Sequence, residues 1–234
     1  MRIPAIEEII AQDIDSLRDC PDGIACQDCP IDVCVKVVSV AEFPSEHGTF
    51  RIIGFVNSKD GKDHIIVLKG EIGDGEEVLT RIHSACLTGD ALGSMRCDCG
   101  PQLHQALRLI EKEGRGIVLY HQAEGRGIGL VNKLRAYALQ DQGYDTYEAN
   151  VALGFKPDER DYRIPVEMLR KIGVKSVRLL TNNPEKVTAV EQNGLKVTER
   201  IQHELPVTHY DREYLKTKKE RFGHLLRLDH GIGA

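Results

Sequence analysis

Three cysteines lie close together in SACLTGDALGSMRCDCG: Cys86, Cys97 and Cys99, with ten residues and then one between them. A thiolate is a soft, strong ligand for zinc, and zinc prefers four tetrahedral partners. In an extended or turn geometry Cys97 and Cys99 can point to one side, and Cys86 then comes in from the end of a strand. Three ligands leave two readings open. A structural site would be completed by His83, His104 or one of the N-terminal cysteines. An open site would hold a water whose pKa zinc lowers to about 7, giving a hydroxide nucleophile near neutral pH. Spacing alone does not separate them. The cysteine total tilts toward the open site, because the chain has seven and the other four, Cys20, Cys26, Cys29 and Cys34, could form a closed second metal site of their own.

Polar groups crowd the same region. RIHSACLTGD places Arg81, His83, Ser84, Thr88 and Asp90 beside the thiols, a density that suits a site better than a core. HQAEGRGIGLVNK carries Gly125, Gly127 and Gly129 ahead of a helix, with Arg126 in the loop. Such a loop can turn backbone N–H groups and a helix N-terminus toward an anion, and arginine adds a bidentate phosphate contact. Taken alone it is equally a tight turn. It is neither a P-loop, since the Lys-Ser/Thr ending is missing, nor the dinucleotide fingerprint, since the third glycine comes too early. FKPDERDY groups Asp158, Glu159, Arg160 and Asp161, which in isolation reads as a solvated turn. LLTNNPEK ends a strand with Thr181, Asn182 and Asn183, at the kind of strand end where α/β sheets bind ligands. Lys186 falls in the first turn of the following helix, where it opposes the helix dipole and calls for a ligand anion as partner.

The elements that must position these groups change character along the chain. Residues 1–34 form a cysteine-containing extension, and 35–234 form the main domain. From Val35 come four β-like runs, VKVVSVAEF, GTFRIIGFV, DHIIVLKGEI and EEVLTRIHSA, separated by turn signals. PQLHQALRLIEKEG then shows helical spacing of Leu103, Leu107 and Ile110 with Gly114 as a stop. RGIVLYHQ reads as a buried strand, and GIGLVNKLRAYALQDQG as a helix. PVEMLRKIG, VKSVRLLT, NPEKVTAVEQNG and LKVTERIQ alternate helix and strand, which implies at least one βαβ unit. DREYLKTKKERFGHLL reads as a charged C-terminal helix. The expected fold is mixed α/β (α+β), β-rich in its first half and alternating afterwards.

Composition bounds the partners. The 234 residues carry 41% hydrophobic and 29% charged side chains, as an ordinary globular protein does. No apolar run approaches the roughly 18 residues of a membrane span. MRIPAIEEIIAQDID has no apolar core or small-residue cleavage site, so it is not a signal peptide and a cytoplasmic protein is expected. In that reducing compartment the cysteines point to metal or catalysis rather than disulfides. A net charge of −5 argues against a nucleic-acid binder but leaves room for a small anion held by a local arginine cluster. With no Trp and 5% aromatics, a pocket for a flat base must rely on few rings and on hydrogen bonds.

Together RIHSACLTGDALGSMRCDCGPQL, EGRGIGLVNKLRAYALQDQGYDTYEAN, LGFKPDERDY, LLTNNPEK and YLKTKKERFGHLL resemble GTP cyclohydrolase II, the zinc enzyme that opens riboflavin synthesis. The likeness runs from about residue 37 to 226, with the segments in the family's order. It implies that Cys86, Cys97 and Cys99 hold zinc with water in the fourth place. That water would attack the imidazole carbon of guanine between its two nitrogens, and the carbon would leave as formate. Arg160 is implied to engage the α-phosphate, including as a covalent nucleophile, while pyrophosphate departs; Asp158 would be its proton acceptor. Tyr137 would sit near the base and assist ring opening. The implied GTP-binding set is Arg81, His83, Ser84, Gln102, Glu124, Gly125, Arg126, Thr146, Thr181 and Lys186, with Glu124 as acceptor for the guanine edge. Magnesium would accompany the triphosphate, and the likeness implies a homodimer.

Two features depart from that pattern. Many family members carry glutamate where this chain has Ala85, and the four-cysteine extension lies outside the common core. They motivate two alternatives: a divergent relative acting on another purine nucleotide or in a secondary pathway, and a zinc-bearing protein that binds GTP without turnover.

Overall fold

The computed structural model describes residues 8–9, 11–13 and 32–228. Strands β1 (Val35–Ser45), β2 (Gly48–Asn57), β3 (His64–Lys69), β4 (Val78–Ser84), β5 (Gly116–His121), β6 (Ser176–Leu180) and β7 (Lys196–Ile201) form one sheet in the order β1-β2-β3-β5-β4-β6-β7. The pairs from β1 through β3 to β5 are antiparallel, and those joining β5, β4, β6 and β7 are parallel. The mixed α/β class and the βαβ expectation are both borne out.

Helices cover the two faces because successive strand residues point opposite ways. On one face α2 (Cys99–Glu113) lays Ala106, Leu107 and Ile110 on Phe50, Val67, Leu79 and Val118. On the other, α5 (Arg163–Lys171) and α6 (Pro184–Gln192) bury Ile164, Met168, Leu169 and Val190 against Ile53, Ile66, Ile82, Leu119 and Val177. Central β4 is buried along nearly its whole length, as a strand covered on both sides must be.

This topology creates the site. From β4 the chain crosses to β5 through α2 on one face. It returns from β5 to β6, on the other side of β4, through α5 on the opposite face. Connections leaving in opposite directions open a crevice at the carboxyl ends of the strands. Register places those ends level: His83 pairs with Tyr120, Ser84 with His121, and Thr80 with Leu179. Helices α1 (Leu87–Asp90), α3 (Leu130–Gln140), α4 (Thr146–Ala152) and α7 (Arg212–Phe222), and a 3-10 turn at Glu124–Gly127, surround that end.

Differences from the expected elements have local causes. The helix expected over 127–143 begins only at Leu130, because Gly125, Arg126, Gly127 and Gly129 all have positive φ. Helix α4 was not anticipated, although its signal is present: Asp145 accepts the Glu148 N–H while Glu148 accepts the Asp145 N–H, a capping box. Of the extension, Ile9 and Val33 join the larger core. Asp13, 4% exposed, accepts the Val37 N–H at 2.8 Å and Lys171 Nζ at 2.7 Å. Cys20, Cys26 and Cys29 lie outside the described residues, while Cys34 precedes β1 and donates its N–H to Ser58 Oγ. Among the described residues no helix is long and apolar enough to cross a membrane.

Candidate active site

The three cysteines converge. Their sulfurs lie within 4.8 Å of one another, with Cys86 and Cys97 Sγ 3.7 Å apart. Two zinc–sulfur bonds of about 2.3 Å at a tetrahedral angle would place sulfurs about 3.8 Å apart, so the donor set fits zinc. Helix α1 makes the convergence possible. A Cβ on Gly89 would stand 2.9 Å from Cys97 Sγ, 3.0 Å from Cys99 Cβ and 3.1 Å from Cys86 Sγ, so only a bare backbone fits behind the thiols. Hydrogen bonds from Cys97 and Cys99, outweighing burial and helped by the Lys133 ammonium, hold Cys86 as thiolate. Sharing with Cys86, with burial adding to it, pushes Cys97 up to about 11 and Cys99 well above the ordinary thiol range. Crowding three thiols together thus disfavours ionising all of them, and a divalent cation is what would let them ionise together.

No fourth protein ligand joins them among the described residues. His83, offered above as a completing ligand, instead turns its Nε2 to Asp90 at 3.0 Å, and Asp90 also accepts the Tyr120 hydroxyl at 2.8 Å and the Cys86 N–H at 2.9 Å. His104 instead lies against His47 of the β1–β2 turn, with ring centroids 4.9 Å apart.

Lys133 of α3 occupies the ground beside the thiols. Its Nζ donates to Cys86 Sγ at 3.0 Å, Thr88 Oγ1 at 2.9 Å and Glu124 Oε1 at 2.8 Å. Glu124 also accepts the N–H groups of Leu87 (2.7 Å) and Gly125 (3.1 Å). Its carboxylate thus bridges α1, the glycine turn and α3, and in this state it is fully supplied with donors. The Tyr137 hydroxyl meets Thr88 Oγ1 at 3.3 Å, and the Arg96 guanidinium lies over its ring at 4.9 Å.

Cations gather on the other side. Arg160 forks onto Asp158, its Nε 2.9 Å from Oδ1 and its Nη2 on Oδ2, while Nη1 donates to Ser84 Oγ at 3.3 Å. Burial disfavours that guanidinium, but Tyr162 and Asp158 outweigh it and hold its pKa above the ordinary value. Asp158 does not line the cleft; it stands behind Arg160. Lys186, 4% exposed, donates to the Ile82 carbonyl at 2.8 Å, and burial with the Arg81 and Arg160 charges holds it well below the usual lysine range. Arg126 stacks on Phe222 at 3.5 Å, and its buried Nη1 has no partner among the described residues. Its loop is locked to the DERD segment: the Glu159 N–H donates to the Arg126 carbonyl at 2.9 Å. At Gly127 (φ +97) a Cβ would lie 2.8 Å from the Glu159 carbonyl carbon.

A buried relay runs beneath. Arg81 Nη2 donates to Gln102 Oε1 at 2.5 Å and Nη1 to the Leu180 carbonyl at 2.9 Å. Gln102 Nε2 donates to Asp98 Oδ2 at 2.6 Å, and Lys218 Nζ reaches Asp98 Oδ1 at 2.5 Å. The relay fixes the Cys97–Cys99 turn between β4, α2 and α7.

Most of these groups line one open cleft whose empty space, mouth included, is about 1090 Å³. Of the metal, catalytic and GTP-binding residues that the resemblance implies, all but Asp158 line it, Gly125, Thr146 and Thr181 among them, whereas Thr88, Asp90, Gly127, Gly129, Glu159 and Asp161 stand behind the lining. Sequence reasoning passed over Arg96, Lys133, Lys218 and His224, which also line it. Lys133 stands in the quoted glycine-loop segment and the last two in the C-terminal one, but none carries a local signature of its own.

Comparisons with known proteins show what the chain is similar to. A model of the family described as GTP cyclohydrolase II matches residues 35–202. The riboflavin biosynthesis protein RibBA of Bacillus mycoides is 55% identical over 185 residues, covering 79% of this chain and 47% of that protein. The Bacillus subtilis protein of the same name is 54% identical over 186 residues, with the same coverage. The chain thus spans about half the length of these curated relatives. A solved two-domain 3,4-dihydroxy-2-butanone 4-phosphate synthase from A. baumannii overlaps 71% of this chain and 40% of its own, with 18% identity and a TM-score of 0.36, too distant a likeness to define the fold.

Proposed function

The chain belongs to the GTP cyclohydrolase II family, and on that premise we propose that it opens the imidazole ring of GTP. Formate and pyrophosphate are released, and the product is a diamino-ribosylamino-pyrimidinone 5′-phosphate, the first intermediate of riboflavin biosynthesis. The observation that supports this most directly is the pairing, in one cleft, of a three-thiol cluster with a second end lined by Arg126, Arg160 and Lys186.

Cys86, Cys97 and Cys99 would hold zinc. Bound there, zinc supplies an activated water near neutral pH and a Lewis acid for the ring. The chain's own residues do the rest. Glu124 and Lys133 position α1 and the glycine turn against the thiols and supply acceptor and donor for the base. The Tyr137 hydroxyl, poised on Thr88, is within the same end of the cleft for proton transfer during ring opening. Arg160 stays protonated in its fork with Asp158, so it acts as a fixed cation for the α-phosphate, and Asp158 acts by orienting it. Lys186 and Arg126 take the remaining phosphate charge, with magnesium accompanying the triphosphate. The division into an extension (1–34) with a possible second metal and a catalytic domain (35–234), a cytoplasmic location and a homodimer belong to the same proposal. For the dimer, Val131 (65% exposed) and Leu134 (48%) on α3 offer apolar surface to a second copy.

The test is incubation of the zinc-loaded protein with GTP and magnesium, followed by assays for formate, pyrophosphate and the pyrimidine. All three are expected, and Cys97→Ser should abolish formate and lower bound zinc. Formate from another purine nucleotide but not from GTP would replace the substrate in this reading. GTP binding with no release of any product would refute catalysis.

A further inference from the structure

One wall of the cleft comes from beyond the family match, which ends at residue 202. Tyr214, Lys218 and His224 line the cleft, and Phe222 carries Arg126 on its ring; all belong to α7 or the turn after it. That turn is built to present His224. Helix α7 closes on Gly223 in the left-handed region (φ 62), the His224 N–H donates to the Lys218 carbonyl at 3.0 Å, and the Leu225 N–H donates to the Asn182 carbonyl at 2.8 Å. The segment is thereby tied to the carboxyl end of β6.

The His224 ring then meets an unusual environment. Its Nε2 is buried with no hydrogen-bond partner among the described residues, a costly condition for a polar atom. Burial, followed by the charges of Lys218, Arg126, Lys186 and Arg160, pushes its pKa down to about 2. Two of those cations are already matched, Lys218 by Asp98 and Arg160 by Asp158. Among the described residues Arg126 Nη1 and Lys186 have no carboxylate partner. A neutral ring with one N–H to give therefore stands among cations that lack an anion, and an acceptor-rich anion satisfies all of them at once.

We propose that His224 is a phosphate ligand, donating from Nε2–H to a polyphosphate oxygen of the substrate, so that α7 and its C-terminal turn complete the anion end of the cleft. The assignment rests on the nucleotide reading given above and adds to it a binding residue from outside the matched segment.

The experiment titrates inorganic tripolyphosphate, GTP and guanosine by calorimetry into the full chain, His224→Ala and His224→Gln. The alanine variant should bind tripolyphosphate and GTP about tenfold more weakly or worse. The glutamine variant, whose amide N–H reaches toward the same oxygen, should recover part of that loss, and guanosine should bind all three alike. Equal tripolyphosphate affinity in wild type and His224→Ala overturns the proposal, as does an equal loss for guanosine. Independently of any variant, the imidazole nitrogen resonance of His224 in the wild-type chain should shift on adding tripolyphosphate, and an unmoved resonance at saturation overturns it. Formate release is assayed in parallel. No formate with His224-dependent tripolyphosphate binding would defeat the ring-opening reading alone; formate with His224-independent binding would defeat this proposal alone.

Discussion

Gly89→Ala is the smallest change that should disable the thiol cluster without removing a ligand. The added methyl carbon would lie 2.9 Å from Cys97 Sγ, 3.0 Å from Cys99 Cβ and 3.1 Å from Cys86 Sγ, where comfortable contacts between such atoms begin at about 3.5 Å. Three neighbours would have to yield by several tenths of an ångström, and all three belong to the proposed metal ligands. Behind them the chain has little freedom: a Cβ on Gly100 would sit 2.2 Å from the Gly89 carbonyl oxygen, so α1 and the start of α2 are already in backbone contact. Overpacking of this kind costs about 1–3 kcal/mol. If the cost falls on the metal-bound geometry, zinc affinity drops roughly 5- to 150-fold. The assay is competition of the protein against a chelator of known zinc affinity, with GTP binding measured alongside. Zinc affinity and formate release should fall together while Lys186 and Arg126 still hold the nucleotide's phosphates. An alanine variant with wild-type zinc affinity and turnover would refute the claim that α1 backs directly onto the ligands.

Three further outcomes follow from the surrounding groups. Asp158→Asn removes the charge that holds Arg160 in its fork; losing charge-assisted hydrogen bonds worth about 1.5–3 kcal/mol should lower kcat/KM for GTP roughly 10- to 150-fold with zinc content unchanged, and a change under twofold would contradict the positioning role. Burial opposes ionisation of Asp158, but the Arg160 hydrogen bonds and charge outweigh it and leave its pKa below the usual carboxylate value. The stability it contributes is therefore present above about pH 4 and lost below it, so the melting advantage of wild type over Asp158→Asn should be level from pH 7 to 5 and shrink in more acid buffer. His203, 1% exposed, is pushed down to about 3 by burial and by the Arg81 charge. The unfolded chain takes up a proton near pH 6.5 that the folded chain refuses, so stability is lost as pH falls, by about 2 kcal/mol at pH 5; since burial lowers His64, His83, His121 and His224 as well, His203→Gln should lessen, not abolish, the fall in melting temperature between pH 7 and 5, and an unaltered slope would count against it. Lys186→Met should raise the stability of the free protein by about 1–3 kcal/mol, since a buried amine whose charged form burial disfavours, with no carboxylate partner among the described residues, is replaced by an apolar chain of similar length, while GTP affinity falls; a variant that is both less stable and still binds GTP normally would contradict the phosphate assignment.

What could be read in the sequence divides along a physical line. Hydrophobic period and turn residues are local, so the strands, α2, α5, α6 and the βαβ order followed from short windows. The cysteines, EGRG, DERD and LLTNNP followed too, because each packs several chemical groups into a few residues. The pairings that turn those groups into a site are not local. Lys133 reaches Cys86 across 47 positions, and Lys218 reaches Asp98 across 120; neither lysine differs in sequence from its solvated neighbours. The same limit explains why some residues stood out without revealing their state. Glu124 reads as a free acceptor, yet three donors from α1, the glycine turn and α3 converge on it. Asp158 reads as part of a solvated turn or, through the resemblance, as a proton acceptor, yet both its oxygens are taken by Arg160. His83 reads as a fourth ligand, yet Asp90 claims it. In each case the deciding partner arrives from another element at the carboxyl edge of the sheet, where β4, β5 and β6 end level. That edge is where the connections leave on opposite faces, so unmatched charge gathers there at a cost to stability. Buried Lys186 and half-buried Arg126, with no carboxylate partner among the described residues, are the residues in which that cost is concentrated, and the proposed polyphosphate would remove it.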